Sequence, residues 1–251
     1  MVRIYVNQPL MLGASPELDV ATIRHLLALR LRVNSEIYLF NGTGVDYRTQ
    51  IVEFTRKQVS LKIIEQHKIH TESPLAISLL MAVIAAERMD WVIQKATELG
   101  VHTVYPFYST RVQRFSPEKE ESRLLHWQRV SIAAAEQSGR SQLMQIKPPE
   151  DYAKLLHSVA GISHKIICSP APVSAVVGLS EQMIVSCETP QKYVLAIGPE
   201  GGFSDTEVQL AISAGFIPQS LGPRILRAES AAISSITLLQ YKYGDINPLS
   251  L

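Results

Sequence analysis

Two short stretches hold the residue types best suited to chemistry. One runs Leu195-Ala-Ile-Gly-Pro-Glu-Gly-Gly-Phe-Ser-Asp-Thr-Glu207, the other Leu221-Gly-Pro-Arg-Ile-Leu-Arg-Ala-Glu-Ser230. Each passes from apolar, strand-like residues through glycine, proline and charge into a helix. Ligands of α/β domains bind where strand C-termini meet loops of this kind. Gly198, Gly201 and Gly202 let backbone approach a ligand closely or take a positive φ. Two such loops, close in sequence, predict one cleft near the C-terminal end of the chain.

A phosphate cradle is the first chemistry to weigh, since glycine-rich loops ahead of helices bind anions. Glu200 would repel a phosphate, and the P-loop pattern G-x-x-x-x-G-K-[ST] is absent. A ligand held by backbone groups, with a positive centre near Glu200, fits better. The sulfonium of S-adenosylmethionine meets that description. The alternative is a glycine-rich turn carrying a solvated glutamate.

The elements that must position these loops are well signalled. Ser204 with Glu207 three residues on forms a capping box, and Asp205 adds negative charge at the helix N-terminus. Val208, Ala211 and Ile212 then repeat at helical spacing up to Gly215, a C′ glycine. The second loop leads into a helix over 231–240 whose small residues suit tight packing. Upstream, a boundary falls near Thr71-Glu-Ser-Pro74. Before it, residues 3–6, 37–40, 47–54 and 59–64 read as strands, with Asn41-Gly-Thr-Gly44 as a hairpin turn and a short helix over 20–31. After it, strands over 75–84, 101–105, 165–168 and 193–197 alternate with helices over 89–99 and from Ser116-Pro117 to about Ser138. That alternation predicts a largely parallel sheet with helices on both faces.

The pairing of IGPEGGFSDTE with LGPRILRAESAA resembles the RsmE family of SPOUT methyltransferases. Arg88-Met-Asp-Trp-Val-Ile-Gln-Lys-Ala-Thr-Glu-Leu-Gly-Val101 is similar to the family's central helix. Ala134-Ala-Glu-Gln-Ser-Gly-Arg140 is similar to its AAEQSGR signature, and Leu239-Gln-Tyr-Lys-Tyr-Gly-Asp245 to its last helix end. The motifs span nearly the whole chain in the family's order. The resemblance implies a PUA-like β-barrel over 1–70 that binds RNA, followed by a SPOUT domain over 74–251 with a trefoil-knotted parallel sheet. Periodicity alone would suggest an open sheet, because knots are nearly absent from proteins. The resemblance also implies a homodimer with its active site near the interface. The implied reaction is transfer of a methyl group from S-adenosylmethionine to N3 of one uridine in the decoding region of 16S rRNA. Another rRNA or tRNA target, or a non-catalytic assembly factor, are the competing functions.

Uracil N3 becomes a good nucleophile only when its proton leaves. Arginine suits stabilisation of that anion, because its forked donors can hold O2 or O4. Arg227 is the first candidate to face the base, followed by Arg140 and by Arg224, the last as an RNA contact. Glu229 is a candidate base. Structural ion pairs of Arg224 and Arg227 with Glu200 or Glu229 are the alternative. Cofactor contacts are expected from Ile197, Gly198, Pro199, Glu200, Gly201, Gly202, Leu221, Gly222, Ile225 and Leu226. Arg24, Arg30, Arg32 and Arg111 are further candidates for RNA contact.

The 251 residues, 46% of them hydrophobic, allow a sizeable core in one or two domains. A formal net charge of +1 says little about RNA, but residues 1–70 hold nine Lys and Arg against six Asp and Glu. Basic charge on an N-terminal module is what delegated RNA binding would look like. The longest apolar run, around 79–86, is too short to cross a membrane. No leader pattern opens the chain, so a cytoplasmic protein without a membrane partner is expected. Cys168 and Cys187 lie outside any CxxC or histidine cluster, so reduced thiols and no metal are expected.

Overall fold

A computed structural model describes residues 2–55, 59–68, 71–169 and 192–246. The chain folds as two units, Met1–Glu72 with Ile132–Leu143, and Ser73–Ser131 with Met144–Leu251.

The first unit carries a four-stranded sheet in the order β1 (Arg3–Tyr5), β2 (Glu36–Phe40), β3 (Val45–Phe54), β4 (Val59–Lys68). The β1–β2 pair is parallel and the others antiparallel, with 41–44 as the hairpin turn between β2 and β3. Gly13 N–H donates to Ile63 O, and Ile63 N–H to Ala14 O, each at 3.0 Å. The segment after β1 therefore pairs with β4, the far edge strand of this small sheet. Helix α1 (Val20–Ala28) starts at Asp19, whose side chain accepts from Thr22 N–H. It stops three residues earlier than the periodicity suggests, because Arg30 takes φ +55°, a left-handed conformation that cannot continue a helix. Alternate residues of the strands, among them Ile37, Leu39, Ile51, Leu61 and Ile63, bury against Leu26 of α1. Residues 132–143 complete this unit. Arg3 pairs with buried Asp46, which also accepts from Ser141 Oγ at 2.5 Å.

The second unit is a parallel sheet. Its order is β11 (Ile217–Gln219), β9 (His164–Cys168), β10 (Lys192–Ile197), β5 (Ala76–Ala82), β6 (Thr103–Tyr108), β7 (Gln145–Ile146), with β8 (Glu150–Asp151) also on β6. The central strands β5 and β10 are continuous apolar runs because helices cover both faces. On one face α2 (Ala86–Glu98), α3 (Pro117–Ser138) and α6 (Ala228–Tyr243) build a core around Met89, Val92, Trp127 and Ile236. On the other, α4 (Tyr152–Ser158) and α5 (Asp205–Ser213) pack on Phe107, Val194 and Phe216. The short elements β7, β8 and α4 carry too little periodicity to be read from sequence. Buried Gln240 joins α6 to the end of α2. Its amide donates to Leu99 O at 2.7 Å and accepts from Ser73 Oγ at 2.8 Å.

No helix among the described residues is long and apolar enough to cross a membrane, and no described cluster of His, Cys, Asp and Glu could hold a metal. Cys168 is a free thiol; Cys187 lies outside the described residues.

Candidate functional site

The C-terminal ends of β9, β10 and β11 lie side by side, and a pocket of about 130 Å³ opens there. Cys168 ends β9 and Ser169 follows it, residues 197–203 run on from the last residue of β10, and 219–226 from the last residue of β11; the first turn of α6 supplies Ala228 and Ala231. Both sequence-predicted loops thus meet at one pocket. Of the ten expected cofactor contacts, all but Gly201 line it.

The two loops are shaped by different means. Gly202 and Gly222 take φ +69° and +105°, and nothing stands within 4 Å of where a Cβ would project from either. Gly198 is required for another reason. A Cβ there would meet the ring and the backbone N of Phe203 at 3.0–3.1 Å. Phe203 in turn stacks on Phe107, with ring centroids 6.1 Å apart, which anchors the loop to the sheet. The missing Cβ at Gly198 therefore lets the loop close on Phe203 while Gly198 lines the pocket. The Gly201 carbonyl accepts from the Arg111 guanidinium. Arg111, expected at the RNA, thus ties the segment after β6 to this loop.

Helix α5 begins with the expected capping box: Ser204 accepts from Glu207 N–H, and the Glu207 side chain accepts from Ser204 N–H at 2.8 Å. Its other oxygen accepts Thr110 N–H at 2.9 Å, so one buried carboxylate holds two segments. Desolvation favours the neutral acid, yet hydrogen bonds from the Ser204 and Thr110 N–H groups and the Ser109 and Ser204 hydroxyls outweigh it and lower the Glu207 pKa.

Glu200 has partners that sequence reasoning missed. Helix α2 starts at Ala85, which has no capping side chain, and Glu200 Oε1 accepts Ala85 N–H at 3.2 Å. The same oxygen accepts from Arg88 Nη1 at 3.3 Å, while Arg88 Nε lies 3.8 Å from Glu229 Oε1. The ion pairs expected of Arg224 and Arg227 are thus made by Arg88. Its position one turn into the helix that follows β5, beside β10, was the available signal. Glu229 Oε2 is buried and has no hydrogen-bond partner among the described residues.

Arg227 is the N-cap residue of α6 and is exposed; Arg224 is exposed at the pocket. Neither has an ion pair among the described residues. Ile225 is 87% exposed, so it stands at the pocket mouth instead of enclosing a ring. Arg140 is the third residue expected to be catalytic. It belongs to the first unit, is 4% exposed, and its guanidinium donates to both oxygens of Glu72, at 2.7 Å for the shortest bond. This ion pair closes the turn after α3. Arg24, Arg30 and Arg32 lie on α1 and the turn beyond it, and all three are exposed. Cys168 Sγ lies 3.1 Å from Ser235 Oγ, and burial pushes its pKa up to about 11. At neutral pH it is a thiol, which makes it a wall of the pocket and not a nucleophile.

Known proteins share this fold. A family model described as an RNA methyltransferase domain matches residues 71–240, and one described as an RNA methyltransferase PUA domain matches residues 18–64. The chain is 32% identical to ribosomal RNA small subunit methyltransferase E of Buchnera aphidicola subsp. Schizaphis graminum, over 98% of each chain. It is 31% identical to the protein of that name from Mesomycoplasma hyopneumoniae, over 86% of this chain and 89% of that one. The crystal structure of a ribosomal RNA small subunit methyltransferase E from Neisseria gonorrhoeae, bound to S-adenosyl methionine, superimposes with a TM-score of 0.86 at 32% identity, covering 98% of this chain and 100% of that one. The fold is that of an RNA methyltransferase. The chain belongs to the ribosomal RNA small subunit methyltransferase E family.

Proposed function

We propose that the protein uses S-adenosylmethionine to methylate N3 of one uridine in the decoding region of 16S rRNA, and that it acts in the cytoplasm as a homodimer with a knotted catalytic domain. One observation carries the cofactor assignment. Both predicted loops open on a single pocket whose glycine at 222 faces empty space that any Cβ would fill. The walls suit the group: Ile197, Leu221 and Leu226 offer apolar surface for a flat base, and loop backbone offers polar groups. Bound there, the cofactor supplies a methyl group on a sulfonium sulfur, already activated for transfer.

The chain's own residues supply placement and charge. Backbone at 197–202 and 221–226 orients the methyl donor for in-line attack. Arg227, exposed and without an ion pair among the described residues, holds a uracil carbonyl oxygen as the N3 anion forms. The unpartnered Glu229 Oε2 accepts the N3 proton, directly or through water. Methyl gain at N3 is then balanced by proton loss, and the sulfonium leaves as a neutral thioether. Arg224 contacts RNA at the pocket edge, and Arg24, Arg30 and Arg32 bind its phosphates. The dimer reading is supported by Leu238 and Tyr241, both exposed on α6.

The test is incubation with labelled S-adenosylmethionine and small ribosomal subunits lacking the modification, followed by mass spectrometry of nucleosides. 3-Methyluridine at one decoding-region site is expected, and Arg227→Ala should reduce its rate by about 10²–10³, the scale for losing an oxyanion donor. Methylation of another base or of tRNA would overturn the substrate assignment. Light scattering that finds a monomer would overturn the dimer.

A further inference from the structure

The Arg88 guanidinium joins the two sides of the pocket. Through Nη1 it meets Glu200 of the first loop, and through Nε it faces Glu229 at the start of α6, directly beyond the second loop. The carboxylates differ in setting. Glu200 is half-exposed and lines the pocket, whereas the Glu229 side chain is only 15% exposed. Each lies at a helix N-terminus, Glu200 on Ala85 N–H of α2 and Glu229 in the first turn of α6, where the helix dipole favours negative charge. Without Arg88, two carboxylates would stand beside the pocket without the cation that bridges them.

We infer that Arg88 is a positioning residue that fastens Glu200 to Glu229 and sets the net charge felt in the pocket. The inference rests on the proposed use of S-adenosylmethionine, because the cofactor is a cation and its product, S-adenosylhomocysteine, is a neutral thioether of almost the same shape. The ratio of their affinities therefore reads the local potential, while loss of shape affects both alike. Geometry is separable from charge as well. Two different nitrogens of one planar fork reach the two carboxylates, a fixed spacing that the single nitrogen of an ammonium does not reproduce.

The experiment measures the binding of S-adenosylmethionine and S-adenosylhomocysteine to the full-length wild type, Arg88→Met, Arg88→Lys and Glu229→Gln by calorimetry, with thermal unfolding of each variant. Arg88→Met should raise the preference for the cation about two- to five-fold, the scale of a partly exposed ion pair. Glu229→Gln should lower it, and Arg88→Lys should keep it near the wild-type value. At saturating cofactor, Arg88→Lys should still lower kcat several-fold, because the fastening is lost. An unchanged ratio in Arg88→Met would overturn the charge role, and full kcat in Arg88→Lys would overturn the positioning role. Should the wild type bind neither compound, the cofactor assignment itself falls and the role of Arg88 with it. Wild-type binding with a flat variant series would sink only the inference about Arg88.

Discussion

Replacing Glu207 is the sharpest probe of how the cofactor loop is held. The carboxylate is 2% exposed and accepts from Ser204 N–H, Ser204 Oγ and Thr110 N–H at 2.8–2.9 Å. Glu207→Ala removes the reciprocal half of a capping box and leaves the Thr110 and Ser204 N–H groups without this acceptor. A lost cap costs about 1 kcal/mol, and each buried unsatisfied donor about 1–3 kcal/mol. Water reaching one of the two donors brings the expected loss to roughly 2–4 kcal/mol. Glu207→Gln retains one acceptor oxygen and should lose about half as much. Chemical denaturation followed by tryptophan fluorescence and by far-UV circular dichroism would measure both.

The pH dependence adds a second check. Hydrogen bonds lower the folded-state pKa of Glu207, so its contribution is present above the ordinary glutamate pKa and is lost as pH falls through the lowered value. Wild type should therefore lose stability on the acid side more steeply than Glu207→Gln, and the two should converge at low pH. Parallel acid-side profiles, or a Glu207→Ala loss below about 1 kcal/mol, would refute this account of the loop.

Other substitutions test separate parts of the structure. Gly222→Val should weaken cofactor binding by about tenfold or more, measured by calorimetry, because φ +105° strains any β-branched residue and its side chain enters the pocket. Lys165 is buried, and its ammonium donates to Ala160 O and Ala214 O at 2.9 Å, so it holds the C-terminal ends of α4 and α5 together. Lys165→Met should cost about 1–3 kcal/mol in denaturation while preserving the fold. Replacing Arg24, Arg30 and Arg32 together by alanine should flatten the salt dependence of rRNA binding by up to about three counterions and leave cofactor affinity unchanged. Filter binding across a salt series measures the slope.

Much of this protein is written locally. The Ser204–Glu207 capping box, the Gly100 and Gly215 helix ends, Pro117 at the start of α3 and the 41–44 hairpin turn all appear where their residues predict. They do so because caps and turns depend on bonds within a few residues. The two glycine loops were also legible as one pocket, since apolar strands that end in such loops must bring them to one edge of a parallel sheet. Tertiary structure decided the pairings. Nothing local says that Glu200 serves the N-terminus of α2, that Arg88 reaches both Glu200 and Glu229, or that buried Arg140 is paired with Glu72. A charged side chain takes whichever opposite charge or free N–H the fold places beside it, and that neighbour comes from a different part of the chain. Residue types therefore announced where the chemistry lies, and only the packing of distant segments determined which charges remain free to perform it.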